Sequence, residues 1–320
     1  MKTRKLIFLN IFFACFFPFY CSSDATAQND DDIAELNDSD KEIKKHFEPS
    51  YITFGGGYDS ERKIASDDLY YEAQIYAHLY WLRNKIVPET NHIFRLYMPI
   101  RLQVRQYNTE SSPVKTPGYN PGLRLYYWNR YLVNKSTDFH YFSGGFHHYS
   151  NGQSGPHFDP NSGLVNTEKG GFSSDYIELS YYRVNYDTLF DWKKLNVRAY
   201  LTGLTWEEPQ TDFYENILLE LSGKKIFKTR EKFNIDMYLQ MTLGYKFGRK
   251  FVSPGVDAST GDNLQYTVEW SMRPKFSTTK FWDWEDLSLY IRWDKGYDYY
   301  NINYQSKINR IQFGLVSKVF

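Results

Sequence analysis

Apolar and polar residues alternate with a period of two through most of the chain after about residue 49. The stretches LQYTVEWSMR (264–273) and LSLYIRW (287–293) place apolar and aromatic residues at one parity and mainly polar or charged residues at the other. Successive side chains of a strand point to opposite faces, so this pattern predicts extended strands with one apolar and one polar face. We therefore expect an all-β fold.

Aromatic residues add a second constraint on the fold. The 320-residue chain contains 29 Tyr, 24 Phe and 8 Trp, and aromatics make up 19% of it. Alternating strands rich in aromatic residues are typical of transmembrane β-barrels, which carry aromatic girdles at both membrane interfaces. The formal net charge is +0, so the basic surface that nucleic acid requires is absent and no nucleic-acid partner is expected.

The alternating runs predict twelve strands. They lie at 50–57, 69–84, 92–107, 122–133, 138–150, 175–187, 195–206, 213–226, 232–247, 263–275, 286–297 and 305–320. An even number suits a closed barrel with both termini in the periplasm, with long extracellular loops and short periplasmic turns. Connections such as 151–174 and 248–262 are long, whereas 188–194 and 227–231 are short. We predict a twelve-stranded antiparallel transmembrane β-barrel over residues 49–320, located in a bacterial outer membrane.

The N-terminus has the features of a secretory signal. Basic residues precede an apolar run that ends at a small-x-small site, Ala25–Ala27, so we expect a signal peptide over residues 1–27. Cleavage there would remove both cysteines, Cys15 and Cys21, and leave a mature chain without thiols. A lipid anchor on Cys21 is the alternative. Residues 28–48 are highly charged and show no strand pattern, which indicates a mobile periplasmic segment.

The sequence FHHYSNG ends the fifth predicted strand. His148 and Ser150 lie two residues apart and share a face, so they could act as general base and nucleophile. They also share the parity of Phe142 and Phe146, which predicts that the pair faces lipid. The structural alternative is that Ser-Asn-Gly simply ends a hairpin strand, because Asn-Gly is a strong turn signal. The local sequence leaves both interpretations open.

One acidic residue near the same surface could complete a triad. Asp175 shares the parity of the apolar positions of the sixth predicted strand. Across the long hairpin it could reach His148 and hold the imidazole in the tautomer that accepts the serine proton. Asn161 and Asn166, in the loop, are alternative partners. His147 has the opposite parity and is expected to be a lumen residue.

Two motifs resemble the outer-membrane phospholipase A family. HYSNG (148–152) resembles the family's His-x-Ser-Asn-Gly at the end of a barrel strand. SSP (111–113) followed by YNP (119–121) resembles its Ser-Ser-Pro loop and Tyr-x-Pro strand start. The resemblance implies a carboxylic ester hydrolase of phospholipase A1/A2 type that releases fatty acids from membrane phospholipids and lysophospholipids. It also implies dependence on calcium and activity as a homodimer.

The resemblance assigns the catalytic roles residue by residue. Ser150 matches the nucleophile, His148 the general base, and the amide of Gly152 part of the oxyanion hole. The family usually carries Asn as its third catalytic residue, whereas the matching position here is Asp175. Asp can orient a histidine as Asn does, so the resemblance implies a modified Ser-His-Asp triad.

The calcium ligands are also inferred from the resemblance. Carbonyl oxygens of Gln153 and of the partner subunit's Ser111 would bind the ion, and oxygen donors suit calcium. The serine that supplies a side-chain ligand in the family falls on Gly171 in this sequence. Ser173 is therefore the candidate for the side-chain ligand.

Two other functions compete with this interpretation. A lipid A deacylase also places a His-x-Ser pair on the lipid face of a barrel, and would act on lipopolysaccharide. A non-enzymatic, porin-like barrel would use HYSNG only as a turn and would hydrolyse nothing. The sequence does not define the positional preference for the two acyl chains, the head-group range or the trigger for activity.

Overall fold

The computed structural model describes most of the chain from residue 44 onward. The described residues are 44, 47–55, 57–59, 64–67, 69–83, 92–107, 114–129, 138–166, 169–186, 188–201, 215–228, 235–248, 251–253, 256–257, 263–274, 287–300 and 307–317. The predicted signal peptide, most of the predicted segment 28–48, and Ser111 lie outside them, so the domain bounds stay a prediction. In the part of the chain that the structure describes, no helix has the length and hydrophobicity needed to cross a bilayer.

Twelve antiparallel strands form one closed sheet within the described residues. They are β1 Ser50–Phe54, β2 Leu69–Arg83, β3 His92–Tyr107, β4 Gly118–Asn129, β5 Asp138–Ser150, β6 Ser173–Asn185, β7 Trp192–Tyr200, β8 Ile217–Lys228, β9 Ile235–Phe247, β10 Leu264–Pro274, β11 Leu287–Tyr297 and β12 Lys307–Ser317. Each strand pairs with the next, and β1 pairs with β12 from Ser50↔Ser317 to Phe54↔Phe313. The predicted all-β fold, a twelve-stranded antiparallel barrel, is confirmed.

Four short strands lie outside the twelve. Gly57–Asp59 pairs with Ile64–Asp67 and continues the sheet beyond β1 through a contact with β12. Phe251–Ser253 pairs with Val256–Asp257 as a separate hairpin. Both pairs lie at the end of the barrel that carries the long connections, which we call the loop end; the opposite end is the turn end.

The outer surface of the barrel is apolar. Exposed side chains include Ile52, Ile75, Leu79, Leu125, Phe142, Leu179, Leu221, Leu243, Leu289 and Phe313. Apolar exposure on this scale is unfavourable in water, whereas a closed barrel leaves no unpaired strand edge inside a bilayer. The protein is therefore an outer-membrane barrel, and we expect its long loops to face the outside, as in other such barrels.

The lumen is polar and is crossed by ion pairs. Arg105 forms hydrogen bonds with both carboxylate oxygens of Asp298, at 2.6 and 2.9 Å, and with Glu72 at 2.5 Å. Glu178 accepts one hydrogen bond from Arg124 and one from Arg198 Nε at 2.7 Å. Many inward-facing positions of the strands carry charged residues. A buried charge is costly unless it is paired, so these contacts stabilise the interior.

Strand β4 begins earlier than the sequence predicts. The predicted start at residue 122 excludes Pro121, which lacks an N–H for the sheet. In the structure Pro121 pairs with Ile100, and buried Asn120 donates a hydrogen bond to the Tyr176 hydroxyl at 3.0 Å. This lumen contact compensates for the missing donor. The longer strand places Tyr119 opposite Ser150.

Candidate functional site

The end of β5 and the start of β6 form the candidate site. His148 pairs directly with Asp175, and Ser150 pairs with Ser173. The side chain of His148 is 43% exposed, on the same surface as exposed Phe142. The structure therefore places these residues on the lipid-facing surface near the loop end, as their parity predicts.

The histidine and the acid are joined by a short hydrogen bond. His148 Nδ1 lies 2.7 Å from Asp175 Oδ1, and the Asp175 side chain is only 12% exposed. A carboxylate accepts, so Nδ1 carries the proton and Nε2 presents its lone pair on the other side of the ring. Ser150 lies two residues along the same face, about 6.6 Å away along the strand at about 3.3 Å per residue.

The two loop asparagines have other partners. The amide side chain of Asn166 donates to Pro156 O at 3.4 Å and accepts from Lys169 N at 3.0 Å. The backbone N–H of Asn161 donates to Asp159 Oδ1 at 2.8 Å. Both asparagines therefore stabilise loop geometry, and Asp175 is the residue that the structure places against the histidine.

Asn151 closes the loop between β5 and β6. Its side chain is buried, donates to Gly170 O at 2.8 Å, and accepts from Phe172 N at 2.9 Å and from Gln153 N at 3.2 Å. Its backbone N–H donates to Phe172 O at 3.1 Å. The sequence interpretation gave this residue no role beyond the turn and the HYSNG motif. The three bonds to Gly170 and Phe172 join the two loop stems directly behind Ser150, and the bond from Gln153 N is local.

Gly152 has a backbone conformation that favours glycine. Its φ angle is +69°, in the left-handed region, where other residues are strained. A Cβ there would lie 3.5 Å from the ring of Tyr119, which is 45% exposed. The turn therefore brings the Gly152 backbone close to Ser150 with an aromatic ring beside it.

Oxygen atoms of the backbone converge at the base of the same loop. The carbonyl oxygens of Gln153 and Gly155 lie 2.8 and 3.2 Å from where a Cβ on Gly171 would be. Gly155 O accepts from Gly171 N at 2.8 Å, and partly exposed Ser173 follows at the start of β6. Among the described residues no group of three His, Cys, Asp or Glu could hold a metal. The available donors are carbonyl and hydroxyl oxygens, which fit calcium and do not fit a metal that needs nitrogen or sulfur.

His147 lies in the lumen, as its parity predicts. It is 2% exposed and stacks on Tyr176, with ring centroids 4.9 Å apart and an interplanar angle of 8°. Its Nε2 lies 3.4 Å from Arg124 Nη2. Adjacent histidines in the sequence thus serve opposite surfaces of the barrel.

Comparisons with solved structures match the fold. The chain superposes on outer membrane phospholipase A from Escherichia coli with a TM-score of 0.52 and 16% identity, covering 84% of this chain and 90% of that chain. The Salmonella typhi outer membrane phospholipase dimer with bound calcium gives 0.53 and 15%, covering 85% and 90%. No protein-family model and no curated protein sequence matches the chain. These likenesses show a related outer-membrane barrel fold.

Proposed function

We propose that this barrel is an outer-membrane acyl hydrolase that releases fatty acids from phospholipids and lysophospholipids. The observation that supports it best is the hydrogen bond between His148 and Asp175 on the lipid-facing surface, with Ser150 on the same face. Polar and ionisable groups that face a bilayer are costly, so their presence there calls for a function that uses them.

The geometry supports a serine-hydrolase mechanism. Ser150 Oγ attacks the ester carbonyl while His148 Nε2 accepts its proton, and Asp175 stabilises the imidazolium through Nδ1. The imidazolium then protonates the departing glycerol oxygen, which leaves an acyl-serine. A water molecule, deprotonated by His148, then attacks this ester, and the imidazolium returns the proton to Ser150 Oγ as the fatty acid leaves. In this proposal the backbone amide of Gly152 stabilises the oxyanion.

The surroundings of Ser150, His148 and Asp175 suit a membrane lipid. Phe142, Ile177 and Leu179 are exposed on the outer face beside it, and they would contact the acyl chains. Ser150 lies where β5 reaches the loop end, and there we expect the lipid head groups. A glycerophospholipid in the outer leaflet would thus present its ester bonds to the serine.

Calcium and a dimer belong to the same proposal. The carbonyl of Gln153, the hydroxyl of Ser173 and the carbonyl of Ser111 of the partner subunit would hold the ion. When bound, calcium would offset negative charge on the ester carbonyl oxygen. The described residues bring no carboxylate to this set. We therefore expect weak binding that a partner subunit and the lipid complete.

The direct test measures fatty acid release from phospholipid mixed micelles. Ser150→Ala should lower the rate by about 10³-fold or more, because nucleophile and base act as a unit. Ser143→Ala, on the same strand but buried in the lumen, is the matched control and should keep its rate. Hydrolysis by the Ser150 variant at the wild-type rate would refute the serine mechanism.

Two additions to the assay separate the remaining alternatives. Lipopolysaccharide offered in place of phospholipid distinguishes a lipid A deacylase, and absence of hydrolysis on both substrates would indicate a porin-like barrel. Excess chelator should reduce both the rate and the cross-linked dimer in detergent, and calcium should restore both. A monomer in chelator that hydrolyses at the full rate would contradict the calcium and dimer parts alone.

A further inference from the structure

The residues immediately before β1 lie inside the barrel. Phe47 is 8% exposed and stacks on His78, with ring centroids 3.9 Å apart. It also meets Tyr97 edge-on at 5.1 Å and Tyr126 at 5.8 Å. These aromatic neighbours hold the Phe47 ring in place, because each aromatic pair contributes energy beyond the apolar area that it buries. Phe47 is thus a lumen residue although it precedes the first strand.

Hydrogen bonds between side chains and backbone hold the following residues in the same place. The carbonyl of Pro49 accepts a hydrogen bond from Gln74 Nε2 at 3.2 Å, and Ser50 Oγ accepts one from the backbone N–H of Tyr76 at 2.9 Å. We call Phe47–Pro49 the lumen segment. It is packed against β2, β3 and β4 from inside.

The lumen segment borders a cavity that extends between the two ends of the barrel. This cavity has a volume of 260 Å³ and is lined by Phe47, Glu48 and Pro49. Its wall includes Trp192, near the turn end of β7, and Lys246, near the loop end of β9. The lining is largely polar and charged, so water can enter it.

The cavity is lined by eight Lys or Arg residues and six Asp or Glu residues, of which Glu48 is one. Glu48 interacts electrostatically with Lys194, Arg101, Arg124 and Arg198. Arg198 is paired with Glu220 and Glu178. Among the described residues Arg101 and Lys194 form no ion pair, and each lies instead over an aromatic ring, that of Tyr149 at 5.4 Å and that of Tyr182 at 5.7 Å respectively.

Glu48 is therefore one of the carboxylates that balance these cations, and Glu178 is another. Cations that line a narrow, low-dielectric passage concentrate anions and exclude other cations. A carboxylate fixed among these cations has the opposite effect, because it neutralises part of their charge and so weakens their attraction for mobile anions. Removing that carboxylate leaves Arg101 and Lys194 available to a mobile anion.

We propose that the lumen is a narrow pathway for small anions and that the lumen segment constricts it. Phe47 narrows the passage on the side of β2, β3 and β4, and the carboxylate of Glu48 occupies the place of a permeating anion. The ligands suited to this path are compact anions such as chloride or a short carboxylate. This function is separate from the lipid-facing site, because the lumen residues and Ser150 lie on opposite faces of the barrel wall.

The test is conductance of the purified, full-length barrel in planar lipid bilayers under a potassium chloride gradient. Wild-type protein should show low conductance. Phe47→Gly should raise the conductance by widening the passage. Glu48→Gln should shift the reversal potential toward the chloride equilibrium potential, and adding Lys194→Gln should reverse part of that shift.

Two controls keep the result interpretable. Phe142→Gly removes an exposed aromatic ring on the lipid face and should leave conductance unchanged. Heat-modifiable migration on gels verifies that each variant is folded. Unchanged conductance in Phe47→Gly, or an unchanged reversal potential in a folded, conducting Glu48→Gln variant, would overturn the proposal. Complete absence of current in all folded variants would overturn it as well, since other side chains would then close the lumen.

Discussion

Asn151→Ala should loosen the candidate site without unfolding the barrel. The change removes three side-chain hydrogen bonds, to Gly170 O, Phe172 N and Gln153 N. A net contribution of about 1 kcal/mol per bond gives a loss of about 3 kcal/mol, and buried groups left unsatisfied would add to it. The loss falls on the loop stems, because the strand ladders of the barrel do not involve this side chain.

Two measurements should report this local loss. Amide hydrogen exchange at Phe172 and Gln153 should speed up by about 100-fold, since about 3 kcal/mol is worth that factor in a local opening equilibrium. The hydrolysis rate on phospholipid micelles should fall, because the stems position Ser150 opposite Ser173. Heat-modifiable migration should change little.

The chain supplies both a graded variant and a control. Asn151→Asp keeps the two acceptor bonds but replaces the donor to Gly170 O with an oxygen, so its exchange rates should lie between those of wild type and Asn151→Ala. Asn161 lies exposed in the same loop, and among the described residues its backbone N–H, not its side chain, makes the hydrogen bond, to Asp159. Asn161→Ala should therefore match wild type. Wild-type exchange and full activity in the Asn151→Ala variant would show that its side chain does not join the stems.

Three further predictions concern the site and its support. Asp175→Ala should reduce hydrolysis by a large factor in the micelle assay, and Asp175→Asn should reduce it less, because an amide oxygen can still accept from the histidine. Gly122→Ala should lower the temperature of heat-modified migration by pushing a methyl group into the buried ring of His147, at a cost of about 1–3 kcal/mol; Gly144→Ala, whose nearest side-chain atom is 3.4 Å away, should be tolerated. Burial lowers the pKa of His157 from its ordinary 6.5, so at low pH the opened loop binds a proton more readily than the closed loop. The closed loop therefore has its full stability above about pH 6.5 and loses it as the pH falls through the lowered pKa of the folded state. Protease cleavage of the loop should rise as the pH falls, and His157→Gln should flatten this dependence. Cleavage independent of pH in wild type would contradict the assignment.

Parity explains why the number of strands and their faces could be predicted. A period of two is a local property, so each run of alternating residues defines its own faces without knowledge of its neighbours. His148 and Asp175 face lipid and His147 faces the lumen, as that pattern predicts. The predicted strand began at residue 122, whereas β4 begins at Gly118, and Asn120 contributes a lumen hydrogen bond in its added part.

Pairing between strands could not be predicted in the same way. Parity places Glu178 and Arg124 in the lumen, but the two are 54 residues apart, and their contact depends on the stagger between neighbouring strands. The lumen segment was missed for a related reason. Residues 28–48 show no periodicity and carry many charges, which indicates a solvated tail, whereas the aromatic slot that receives Phe47 is formed by three separate strands.

The pairing of His148 with Asp175 depends both on the face that each residue occupies and on the register of β5 against β6. Asp175 meets His148 only in the observed alignment, and a slip of one residue would turn Asp175 toward the lumen. The long loop between the strands does not set that alignment by its length, because a longer loop can close at several registers at similar cost. The ladder from Asp138↔Asn185 to Ser150↔Ser173 sets it, and the bonds of Asn151 to Gly170 and Phe172 connect the stems one residue beyond Ser150. The side chain that closes the turn therefore supports the end of the ladder at which His148 meets Asp175.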